Sequence, residues 1–192
     1  MSFGAQPRMD PAVALPTDRI LDFEPGMAMR WEITRSSAET GGELLETVNW
    51  LGPGADGGPP VHVHASVEES YEVLEGAIDV FIGGEWHTLA TGARVVVRPG
   101  TAHTLKRSGE GPARIINTHR PALRFEQMFR EMCGLIRSGR IRGLAARDPR
   151  SLLYGAMLFT KYSDLQKATS PPQALLVGLA RLGKVLGLRL ES

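Results

Sequence analysis

A mainly β fold, an antiparallel sandwich or barrel followed by a helical tail, is predicted for this 192-residue chain by three observations. Short segments rich in Val, Ile, Thr and Trp recur between residues 29 and 118, broken by glycine-bearing turns roughly every 8 to 12 residues, as in antiparallel sheets. After Pro121 the apolar period lengthens to three and four residues, the mark of amphipathic helices. Between these patterns lies the third observation: His62, His64, Glu69 and His103 fall at spacings that can converge on one divalent metal.

In order along the chain, Met1 to Pro16 holds no apolar run suited to a signal peptide, and residues 1–20 read as a flexible N-terminal arm. Strands are expected over residues 29–34 and 43–51. Residues 52–60 form a loop, which Pro59-Pro60 stiffen into an extended approach to Val61. Further strands are expected at 70–74, at 77–82, and, after a Gly83-Gly84 hairpin turn, at 85–89, 94–98, 103–106 and 113–118. The barrel therefore occupies residues 21–120 and a helical extension residues 121–192. Phe125, Met128, Phe129, Met132, Leu135 and Ile136 draw the stripe of a first helix ending near Gly139. Asp148-Pro149 supplies a cap and a first-turn proline for a second helix over roughly residues 150–167, and Ser170-Pro171 does so for a third. On that third helix Leu175, Leu179, Leu182 and Leu186 make the stripe. Such faces are expected to pack on the barrel or at a dimer interface.

Hydrophobic residues at 42% and charged residues at 22% are ordinary for a soluble globular chain. Charges interrupt every apolar stretch before the roughly 18 residues that a membrane span needs. Cys133, the single cysteine, excludes an internal disulfide and fits a reducing, cytoplasmic setting; its place on the first helical stripe marks it as a buried apolar residue rather than a nucleophile. The net charge of +1 conceals an asymmetry: residues 1–119 carry 9 Lys/Arg against 16 Asp/Glu, residues 120–192 carry 13 against 5. Complementary fields favour docking of the basic tail on the acidic barrel. The basic residues are scattered, with few aromatics among them, so no nucleic-acid partner is expected.

In a strand alternate residues share a face, so His62 and His64 point the same way about 6.6 Å apart. Three imidazoles and a carboxylate suit Fe, Mn, Ni, Co, Cu or Zn, and ligand type does not choose among them. An octahedral ion would keep two positions open for substrate. Tyr71, Val73, Val95 and Val97 are expected to give an apolar cavity, with Tyr71 either orienting a substrate or packing in the core. His87 and His119 are assigned no ligand role.

Gly57-Gly58-Pro59-Pro60-Val61-His62-Val63-His64, followed by Glu69 and Gly76, resembles the first signature of the cupin superfamily, and Gly92, Pro99, Gly100 and His103 resemble the second. Asp56 stands where the first signature opens on glycine, Arg98 where proline is usual, and Arg107 where asparagine is expected. The resemblance spans residues 43–118 and implies a double-stranded β-helix, or jelly-roll barrel, with His62, His64, Glu69 and His103 as metal ligands. It also implies a small-molecule ligand, homodimers, and metal-dependent oxygenase-like chemistry on a small aromatic or enol-type substrate. A non-catalytic ligand sensor, or an isomerase or decarboxylase, are the alternatives, since one barrel hosts many functions.

Overall fold

The computed structural model describes residues 17–24, 26–53, 58–142 and 148–190. The expected arm lies outside the described residues as far as residue 16; beyond it Thr17–Arg19 form a single 3-10 turn, and Ile20 already belongs to a strand. Eleven strands and three helices follow among the described residues. They are β1 (Ile20–Asp22), β2 (Met29–Arg35), β3 (Leu45–Leu51), β4 (Val61–Val63), β5 (Glu68–Glu75), β6 (Ala77–Ile82), β7 (Glu85–Ala90), β8 (Arg94–Val97), β9 (His103–Arg107), β10 (Ala113–Arg120), α1 (Phe125–Arg137), α2 (Pro149–Lys161), β11 (Lys167–Ser170) and α3 (Gln173–Val185).

Two antiparallel sheets face each other, in the orders β1-β2-β3-β10-β5-β8 and β11-β4-β9-β6-β7. This is the jelly-roll expectation realised. Alternation creates the core: β3 buries Leu45, Thr47, Asn49 and Leu51, and β10 buries Ala113, Ile115, Asn117 and His119, while the residues between them are partly exposed. Buried polar residues therefore stand among apolar ones on the inner face, which marks that face as more than packing. Two glycines shape the frame. Gly76 adopts φ +73° with Pro112 O only 2.3 Å from where a Cβ would sit, and a Cβ on Gly58 would fall 1.8 Å from Leu105 O.

The tail differs from expectation in three ways. It is not wholly helical: α2 stops at Lys161, and Lys167–Ser170 extends the second sheet by pairing with β4, Ala168 opposite His62. That strand has no apolar alternation of its own and forms because β4 offers it unpaired backbone groups. Second, α3 turns most of its leucine stripe outward, with Leu179 alone partly packed against the α2–α3 cluster. Leu176, Ala180 and Gly183 are the buried residues, while Leu175, Leu182, Val185 and Leu186 stay exposed. The reason is close approach: a Cβ at Gly183 would lie 2.8 Å from Met157 Sδ, so the small-residue face is the one that fits α2. Third, Arg124–Asp164 (2.7 Å), Arg130–Glu126 (2.8 Å) and Lys161–Glu131 (2.7 Å) pair inside the tail. Tail and barrel are joined by the β11–β4 pairing, by polar contacts such as Arg130 Nη1 to Asp18 O (2.6 Å), and by an apolar seam in which Trp31 meets Phe129 edge-on at 5.0 Å and Phe125 is fully buried.

Helix caps follow the expected chemistry in α2, where the Asp148 carboxylate accepts from Ser151 N at 3.0 Å and proline occupies the first turn. Cys133 is buried on α1, its thiol pKa pushed up by burial. Among the described residues no helix is long and apolar enough to cross a membrane.

Candidate metal centre

β4 and β9 place the first two imidazoles. His62 and His103 are direct cross-strand partners, their rings 4.4 Å apart. His64 follows β4, and its carbonyl accepts from Gly100 N at 2.8 Å, which ties the Pro99-Gly100 turn beside it. Glu69 enters from β5 in the opposite sheet. The candidate ligand atoms of His62, His64, Glu69 and His103 all lie within 4.8 Å of one another, and all four residues are buried.

Proton placement shows what this group can hold. Each imidazole points Nδ1 at a main-chain carbonyl: His62 at Pro60 O (2.8 Å), His103 at Thr101 O (2.8 Å) and His64 at Leu165 O (3.0 Å). A carbonyl oxygen only accepts, so each Nδ1 carries the proton and each Nε2 presents a lone pair, the arrangement that metal-binding histidines require. Yet Glu69 Oε2 lies 3.0 Å from His64 Nε2 and 2.8 Å from His103 Nε2. Acceptors that close need an added proton or a shared cation between them. The residues therefore fit a divalent ion.

The charges agree with this. Burial works against an ionised Glu69, but the attraction of His119 and the close approach of His103, His119 and His64 to its oxygens hold its pKa well below the carboxylate range. Burial, aided by the charge of His103, pushes His62 down to about 3, so its ring is neutral. Burial also opposes a proton on His103; the hydrogen bond and charge of Glu69 outweigh it and raise that pKa.

Further side chains hold the carboxylate. Asn117 Nδ2 donates to Glu69 Oε1 at 2.8 Å, and His119 Nε2 lies 3.1 Å from the same oxygen. His119 was given no part by the sequence, since it falls outside both signatures. It sits opposite Glu69 in the β10–β5 register, and the signal was a polar residue in the buried phase of β10. His87, by contrast, is exposed on β7. Tyr71 is buried, and burial followed by the nearby Glu69 charge holds its phenol protonated.

The centre opens on a cavity of about 260 Å³. His62, Glu69 and Tyr71 line it, but Val73, Val95 and Val97 do not. Its walls come instead from β2, β3, β10 and the tail, which contributes Phe125, Met128, Phe129, Met132, Leu158 and Phe159. Val73 and Val97 are instead buried in the apolar core, and Val95 packs against it. The tail also reaches the centre itself. Leu165 orients His64, Phe125 lies edge-on 5.1 Å from His64, and Phe159 lies 6.1 Å from His62.

Residues 51–119 match a family model described as a cupin domain. Among solved structures, the chain is similar to TT1209 from Thermus thermophilus (25% identity over 53% of this chain and 90% of that one, TM-score 0.45). It is similar also to KdgF from Halomonas sp. (20%, 53% and 86%, TM-score 0.43) and to an RmlC-like cupin from Shewanella frigidimarina (22%, 54% and 84%, TM-score 0.44). No curated protein matches the sequence.

Proposed function

Because this chain belongs to the cupin superfamily, we propose that it is a metal-dependent, oxygenase-like enzyme acting on a small aromatic or enol-type substrate. In this reading residues 21–120 are the catalytic barrel, residues 121–192 its cover, and His62, His64, Glu69 and His103 the metal ligands. The observation that carries it is the character of the cavity beside those four residues. Its helical side is built from aromatic and aliphatic side chains, which suits a ring. The cations that line it are engaged by other groups: Lys106 Nζ lies 4.6 Å over the Trp86 ring and 3.8 Å from Asp79, and the Arg107 guanidinium donates to Gly111 O at 2.8 Å. A strongly anionic substrate would find poor compensation there.

A divalent ion held by this set supplies Lewis-acid or redox chemistry at its open positions. The chain's own residues do the rest. Main-chain carbonyls fix the three imidazole tautomers, Asn117 and His119 hold Glu69 in place, and Phe125 and Phe159 shield the centre from water. The test is oxygen uptake by Fe(II)-loaded protein with catechol, together with the charge-transfer band that catechol binding produces without oxygen. Both are expected; the absence of both across a panel of catechols and flavonols overturns the reading.

A second reading, a ligand sensor without turnover, is favoured by one observation: the Leu165 carbonyl and the β11–β4 pairing connect the centre to the tail. Ligand-dependent hydrogen-exchange protection of β11 without product formation supports it. We propose further a cytoplasmic homodimer with no nucleic-acid partner, paired through the exposed leucine face of α3. Sedimentation of the intact protein tests the pairing.

A further inference from the structure

Trp31 on β2 and Asn49 on β3 are direct cross-strand partners. Their side chains rise from one face of the sheet with Cβ atoms about 4.5–5.5 Å apart, and both residues line the cavity. Trp31 is 9% exposed and Asn49 4%. The indole is held edge-on between Phe23 and Phe129, each 5.0 Å away. Trp31 Nε1 and Asn49 Oδ1 are nevertheless both buried without a hydrogen-bond partner. One of these atoms can only donate and the other can only accept, and although neighbours they do not bond each other. Buried polar groups in folded proteins are almost always paired. Two unpaired groups of opposite polarity at one spot are the complement of a hydroxyl, which accepts with its oxygen and donates with its hydrogen.

Their distance from the metal centre gives the ligand its shape. Asn49 lies opposite Ile115 on β10, and His119, four residues farther along, lies opposite Glu69. At about 3.3 Å per residue the two rows are about 13 Å apart along the strand. The metal ligands and the Trp31–Asn49 pair therefore stand toward opposite ends of one cavity whose remaining wall is mainly apolar.

We infer that the cavity takes an apolar, ring-bearing molecule with a hydroxyl at the end remote from the metal centre, received between Trp31 Nε1–H and Asn49 Oδ1. This rests on the cavity being the ligand pocket of the proposed function, and it adds a requirement on the ligand. The test uses the full-length protein stripped of metal by a chelator, so that no ion competes for the hydroxyl. Titration calorimetry compares 2-naphthol with 2-methylnaphthalene, which has the same shape and no hydroxyl.

Wild type is expected to prefer 2-naphthol by about tenfold or more, the effect of a paired hydroxyl in a buried site. Asn49→Leu and Trp31→Phe should each remove that preference. The thermal midpoint of ligand-free Asn49→Leu should stay level or rise, since an apolar side chain replaces an unpaired amide. A preference that survives both substitutions overturns the inference, as does a lowered midpoint in Asn49→Leu, which would make the amide structural. Equal binding of the two probes to wild type overturns it and leaves the pocket reading standing. If neither probe binds, both readings fall.

Discussion

The two walls of the cavity solve opposite problems. The barrel wall gathers His62, His64, Glu69, His103, Asn117 and His119, all buried, and tolerates their polarity only because each carboxylate and imidazole faces a partner. The tail wall offers Phe125, Met128, Phe129, Met132, Leu158 and Phe159, with no ionisable group among them. A dry cover strengthens every electrostatic contact beneath it, so the apolar wall acts on the polar one without touching an ion. The division is incomplete in one place, where the Leu165 carbonyl from the tail holds Nδ1 of His64. The candidate ligands stand in the barrel, but part of their alignment comes from the extension.

The contrast breaks most visibly at Phe125, which is fully buried and lies 4.1 Å from His119 and 5.1 Å from His64. Phe125→Ala should lower stability by about 3–5 kcal/mol in urea unfolding. A loss under about 1 kcal/mol would mean that the cover is not packed as described. On the other wall, His62→Ala should reduce metal content, measured by elemental analysis, by more than the ~10–100-fold that removal of an outer contact costs. Circular dichroism should remain that of the folded protein, and exposed His87→Ala should keep its metal.

Acidity should act through the barrel wall. His103, raised above its ordinary 6.5, must release a proton before Nε2 can bind an ion, whereas His62, at about 3, has none to release. Metal affinity should therefore climb as pH rises through the His103 value and level off above it. A flat affinity between about pH 5 and 9 contradicts this assignment. In the metal-free protein the two shifts act oppositely on stability. The raised His103 contributes below 6.5 and its contribution is lost as pH rises through its folded value; the depressed His62 contributes above 6.5 and its share is lost as pH falls toward 3. The smallest effect belongs to the tail. Asp148→Ala removes the α2 cap and should cost about 1 kcal/mol, with metal content unchanged.

Much of the barrel was legible. Strands β2, β5, β6, β7, β8 and β9 begin and end within about two residues of their expected places, because alternation and turn glycines are local signals. The candidate site was legible in its four convergent residues, for a related reason: His-x-His on a strand guarantees a shared face. Asn117 and His119 were harder to read, since only the β10–β5 register reveals that they stand beside Glu69. The Lys167–Ser170 strand carried no readable pattern, and α3 carried two, a leucine stripe and a small-residue stripe.

Residue order alone decides which side chains share a face, where turns fall and which imidazoles can cooperate, since these follow from a repeat of two or 3.6 residues over a short span. Folding in three dimensions decides which face of α3 meets α2, that β11 joins the sheet beside His62, and that the tail lines one wall of the cavity. Those outcomes depend on shape fit and backbone pairing between segments as much as a hundred residues apart, as with His64 and Leu165, and no local repeat records them.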